Sequence, residues 1–96
     1  MLRSFRISDV RFITASSGER SGGLIGWVSF KLNDHIRLDG VAVRRTADGR
    51  LALSFPARRD GAGRQHFYVR PLDDQARRDI ERQVFAALGF EEGSPR

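Results

Sequence analysis

Apolar and polar residues alternate along most of the chain, and the places where the alternation breaks are informative. Phe5 and Ile7 share one phase and Val10 and Phe12 the opposite one, so an irregularity is expected near Asp9. In "LIGWVSFKL", Leu24, Gly26, Val28, Phe30 and Leu32 fall on one face, and Ile25, Trp27, Ser29 and Lys31 on the other. "HIRLDGVAVRR" runs in one phase through Ile36 and Leu38, then in the other through Val41 and Val43. One extra residue turns every later side chain over, so the switch at Gly40 predicts a β-bulge. "RLALSFP" supplies Leu51, Leu53 and Phe55, and "QHFYVR" supplies Phe67 and Val69. All five segments read as strands. On the fifth, His66, Tyr68 and Arg70 are expected to share an outer face while Phe67 and Val69 turn to the core.

The connections arrange these strands. Asn33-Asp34 is a tight-turn pair between strands two and three, and "TADG" (Thr46 to Gly49) joins three and four, with Gly49 suited to a left-handed position. "ASSGERSGG" is a longer loop between one and two, and Gly61-Ala62-Gly63 joins four to five. Short links between consecutive strands imply antiparallel neighbours. After Pro71 the period becomes helical: Ala76, Ile80, Val84 and Leu88 recur every four residues, widened by Phe85 and Ala87. Asp73 is a suitable N-cap, Leu72 a candidate staple onto the first turn, and Gly89 a C-terminal stop. Asp73/Arg77 and Asp74/Arg78 have i,i+4 spacing. The expected fold class is α+β: a five-stranded antiparallel β-meander sheet with one C-terminal amphipathic helix. It forms a single domain over residues 1–90, followed by a flexible tail over 91–96.

Size and composition sharpen this picture. With 96 residues, one domain is expected. A domain this small buries only about 60–70% of the surface its unfolded chain exposes, so an apolar second sheet face favours pairing with another copy. No apolar run approaches the ~20 residues of a membrane span. "MLRSFRISDV" lacks the continuous hydrophobic stretch of a secretory signal, so a cytoplasmic location is expected. Cysteine is absent, which removes disulfides, thiolate metal sites and thiol catalysis. The net charge of +5 is unevenly placed: residues 1–72 carry 13 Lys and Arg against 6 Asp and Glu, and residues 73–96 carry 4 against 6. A basic surplus concentrated in the strands points towards a polyanionic partner, since phosphate neutralisation with counterion release drives non-specific nucleic-acid affinity.

Enzymatic constellations are poorly supplied. His35 and His66 lack the further ligands that a metal site needs. Asp34-His35 sits at a turn where neighbouring side chains diverge, and Asp39 reads as a turn or bulge residue. Serines occur outside any Gly-x-Ser-x-Gly elbow, and neither glycine cluster leads into the Gly-Lys-Ser/Thr of a phosphate-cradling loop. The expectation is a protein with no catalysis, metal, cofactor or small-molecule substrate. Tyr68 and Trp27 could stack bases, though one exposed ring reads more simply as packing. Arg58 and Arg59 differ, because they follow Pro56, precede a Gly-rich segment and have the geometry to grip phosphates. A solvated turn is the plain alternative.

The block "PARRDGAGRQHFYVRPL" resembles the centre of the SpoVG family, stage V sporulation protein G, also called the septation regulators. Pro56, Arg58, Arg59, Gly63 and Pro71 fall where that family has its Pro, basic pair, Gly and second Pro. "ISDVR" is similar to its first strand, and "LNDHIRLDGVAVRRTADGRLALSFP" to its preceding hairpin, so the resemblance covers roughly residues 5 to 89. Gly61 replaces a usual Pro, His66-Phe67 stand at more polar positions, and the "ASSGERSGG" loop is long. The resemblance implies a homodimeric α+β regulator binding DNA and/or RNA, with Arg58, Arg59, Arg64 and Arg70 at the phosphate backbone and Arg77 and Arg78 as a helical supplement. The alternative is a homodimeric protein-interaction module in septation that binds no nucleic acid.

Overall fold

The computed structural model of the protein describes residues 6–18 and 21–90. The first four alternating segments form β1 (Ile7–Thr14), β2 (Leu24–Leu32), β3 (Ile36–Arg45) and β4 (Leu51–Ser54), paired antiparallel in the order β1-β2-β3-β4. Two short strands, β5 (Ala57–Arg59) and β6 (Gln65–Phe67), pair with each other as a separate two-stranded arm. One helix, α1 (Asp74–Leu88), packs on one face of the four-stranded sheet. The core lies between them, with Val28, Phe30, Val41, Val43 and Leu53 from the sheet meeting Ile80, Val84 and Phe85 from the helix.

Both expected phase switches are bulges. The β1–β2 register slips between Ser8 and Arg11, and Asp9 adopts φ 47 there. In β2–β3, Val28 pairs with Val41 but Phe30 with Leu38, so Ser29 faces both Asp39 and Gly40. Gly40 has φ 72, a conformation that a Cβ would strain, and glycine there lets β3 accommodate the extra residue. Asn33 and Asp34 both have positive φ (53 and 61), as a two-residue hairpin turn of the favoured twist requires. Gly26 serves close approach: a Cβ there would lie 2.6 Å from the Phe12 ring and 2.3 Å from the Ile13 carbonyl oxygen. The ring therefore covers bare backbone.

The helix ends as its sequence predicts. The Asp73 carboxylate accepts from the Ala76 N–H at 2.8 Å. Gly89 N–H donates to the Ala86 carbonyl (3.2 Å) and Phe90 N–H to the Phe85 carbonyl (2.9 Å), a Schellman ending that satisfies two terminal carbonyls. Phe90 then packs edge-on to Phe12, with ring centroids 5.6 Å apart. Two helical side chains reach the outer strands. Glu81, 5% exposed, accepts from the Leu53 N–H of β4 at 2.9 Å, and Gln83 accepts from the Ile7 N–H of β1 at 3.1 Å. Residues two apart on a helix project roughly 200° apart, which is why neighbours can serve opposite edges.

The meander has four strands, not five, and the described residues form six strands in all. Pro56 accounts for the difference: lacking an N–H, it cannot continue a ladder, and the chain leaves the sheet there. "QHFYVR" contributes only β6, and its partner is β5 rather than β4. Phe67, expected in the core, is 41% exposed, while Val69 is half-buried and lines a groove with Phe55 and Ile80. Leu72 is 95% exposed and staples nothing. Asp74 pairs with Arg77 at 3.5 Å rather than with Arg78. The expected tail over 91–96, Phe5, and Glu19-Arg20 of the long loop lie outside the described residues.

Candidate nucleic-acid interface

The arm folds around one carboxylate. Asp60 accepts from the backbone N–H of Ala62 (2.9 Å) and Arg64 (3.0 Å), from Arg64 Nε (3.0 Å), and contacts His66 Nε2 at 2.7 Å. The first two contacts are an Asx turn, in which an aspartate side chain shapes the backbone that follows it. Gly63, with φ 82, completes the turn, and its N–H donates to the Asp60 carbonyl at 2.9 Å. The His66 hydrogen bond, followed by those from Arg64 and Ala62, holds the Asp60 carboxyl below its usual 3.8. Further ladder bonds, Asp60 N–H to Arg64 O (2.9 Å) and Tyr68 N–H to Pro56 O (3.0 Å), lengthen the arm at both ends.

Pairing then distributes the arginines. Arg58 stands opposite His66 and Arg59 opposite Gln65. Alternation puts Arg58, with the Asp60–Arg64–His66 cluster, on one face of the arm and Arg59, with Phe67, on the other. Arg59 Nη1 donates to the Gly63 carbonyl at 2.9 Å, which fixes its direction without cancelling its charge. Arg70 lies over the Phe67 ring, 5.6 Å from its centroid. Among the described residues Arg58, Arg59 and Arg70 have no carboxylate partner, whereas Arg64 is neutralised by Asp60.

Arg77 and Arg78 are not part of this cluster. Arg77 is engaged by Glu81 (3.2 Å) and Asp74 (3.5 Å). Arg77 and Arg78, with Arg50 and Asp48, line a polar pocket of about 360 Å³ beside the β3–β4 turn, to which no arm residue contributes. The six arginines singled out in the sequence therefore form two groups. Two participants were not singled out. Asp60 announces itself only through "DGAG", an aspartate before a glycine-bearing turn, and Arg50 through its place directly after Gly49. His35 is exposed at the β2–β3 turn, and among the described residues no three His, Cys, Asp or Glu gather as metal ligands. No described helix is long and apolar enough to cross a membrane.

The fold and this surface define a small α+β protein with a basic β-arm. Comparison with protein-family models and with curated proteins returns no match to the sequence.

Proposed function

We propose that the protein is a cytoplasmic bacterial regulator of SpoVG type, which binds DNA and/or RNA with low sequence specificity through the β5–β6 arm. The observation that carries this reading is the presence of Arg58 and Arg59 on an exposed arm, with Arg70 after it over the Phe67 ring, none of them compensated by a carboxylate among the described residues. Exposed guanidinium groups free of carboxylates can pair bidentately with phosphate oxygens. Phosphate contacts position a protein without reading bases, hence the low specificity. The resemblance of "PARRDGAGRQHFYVRPL" to the SpoVG centre supports the regulatory half. The role is one of binding, with no chemistry and no cofactor. Arg77, Arg78 and Arg50 extend the contact where the polyanion is long enough to reach them.

The test is fluorescence anisotropy with short duplex DNA and single-stranded RNA, at low and physiological salt, for the wild type and Arg58→Ala/Arg59→Ala. Binding should weaken steeply with salt, and on duplex each arginine removed should lower the log–log salt slope by about 0.9. An unchanged slope in the double variant sinks the assignment of the arm.

The second reading, a homodimeric interaction module, is favoured by a different surface. An apolar groove of about 430 Å³ runs past Leu38, Phe55, Val69, Leu72 and Ile80. Its charged lining residues, Arg70 and Asp73, are of opposite sign, so two copies meet there without net repulsion. Sedimentation equilibrium should show a dimer that Leu72→Asp dissociates. A dimer that binds neither polymer would establish this reading over the first.

A further inference from the structure

The sheet face turned away from α1 carries a second feature. Register aligns Ile13, Trp27 and Ala42 in one row across β1, β2 and β3. Ile13 is 68% exposed and Trp27 half-buried. Beside them is a hollow of about 450 Å³, lined also by Arg11, Ser29, Asp39 and the side-chain-free Gly40 of the bulge. Arg11, Lys31, Arg37 and Arg44 occupy the same face, with Asp9 and Asp39 beside them. Asp9 ties down two of them, Arg11 at 3.0 Å and Arg37, and Arg37 Nη1 also donates to Ser29 Oγ at 2.6 Å. Lys31 feels Asp9 only at longer range and Arg44 donates to the Gly22 carbonyl (3.5 Å); neither forms an ion pair among the described residues, and they lie on opposite sides of the apolar row, along the strand direction.

What covers such a face is decided by its charge. A second copy docking in two-fold fashion would set this patch against itself. The surplus of positive charge, four cations against Asp9 and Asp39, would then meet an equal surplus, a like-charge juxtaposition that disfavours the contact. A polyanion has the complementary sign. The flat indole and the neighbouring isoleucine call for a planar apolar group, which an unpaired base offers and a stacked duplex withholds. The Asp39 carboxylate at the hollow supplies an acceptor for a base amino group.

We propose that this face binds single-stranded nucleic acid, with a base in the hollow against Trp27 and its flanking phosphates on Lys31 and Arg44. The inference rests on the sheet face alone and does not require the arm.

Trp27 is the chain's one tryptophan, so its emission reports on this face directly. The full chain and its Arg58→Ala/Arg59→Ala variant are titrated with a short oligodeoxycytidylate, whose bases carry the amino group Asp39 would accept from, and with a duplex of equal length. The single strand should quench Trp27 saturably in both proteins, and the duplex should leave it unchanged. Lys31→Glu/Arg44→Glu, two exposed positions, should weaken the quench about tenfold or more at low salt, with the melting curve unaltered. A labelled strand that binds by anisotropy while Trp27 emission stays constant overturns the proposal, as does the absence of any binding. Trp27 emission that depends on protein concentration without nucleic acid also overturns it, because a second copy then occupies the face. Failure of the arm reading is scored separately, by duplex anisotropy in the arm variant.

Discussion

The four-stranded sheet and the β5–β6 arm are both antiparallel β-structure closed by tight turns, yet different forces hold them. In the sheet, Val28, Phe30, Val41 and Val43 are at most 1% exposed, and the helix buries them. In the arm, every residue from Gly61 to Tyr68 is exposed, and order comes from the ladder and the donors converging on Asp60. Burial constrains sequence strongly because a void or a misfit is costly. A hydrogen-bonded arm constrains mainly its turn residues. Arg58 and Arg59 are therefore placed by the fold without being required by it.

That contrast can be broken at several points. Phe30→Ala, at the centre of the sheet, should lower unfolding stability by about 3–5 kcal/mol in denaturant titration. Glu81→Ala leaves the Leu53 N–H without its buried acceptor and Arg77 without one of its partners, and should lower stability by about 1–3 kcal/mol.

Acid should reach the arm only below the ordinary aspartate range. The folded-state pKa of Asp60 is depressed, so its contribution is complete above the unfolded value of 3.8 and is lost as pH falls through the lower folded value. The Asp60 side-chain carboxyl resonance should still report the ionised form at pH 3.8, where a free aspartate is half protonated, and Asp60→Asn should move the Ala62 and Arg64 amide resonances at neutral pH. Smallest of all, Arg58→Ala/Arg59→Ala should change stability by no more than about 0.5 kcal/mol, whatever it does to binding. A large loss would mean that the arm supports the sheet after all.

Much of the sheet is legible in the chain. The alternation through Leu24–Leu32, the phase switches at Asp9 and Gly40 and the caps at Asp73 and Gly89 are local signals, and the structure places each where its pattern says. The arm is legible as strand but not as a separate sheet. "QHFYVR" alternates equally well whether its neighbour is β4 or β5, and only the missing N–H of Pro56 separates the cases. Phe67 misleads for the same reason, since period two gives a face but not what lies against it. The split of the basic residues into an arm group and a helix group is a tertiary fact that spacing does not encode. The burial of Glu81 is likewise invisible in sequence, because a carboxylate beside an apolar stripe reads as its solvated border.

The reach of Glu81 and Gln83 to Leu53 and Ile7 bears on how copies of this protein can associate. Exposed sheet margins act as templates on which further strands assemble, the route to runaway fibre growth. Here each margin of the main sheet has one of its outward donors already satisfied by the same helix, so an incoming strand must first displace a partner. Stacking by strand addition is thereby discouraged at both ends. On the broad surfaces, chemical character rather than backbone pairing selects what binds.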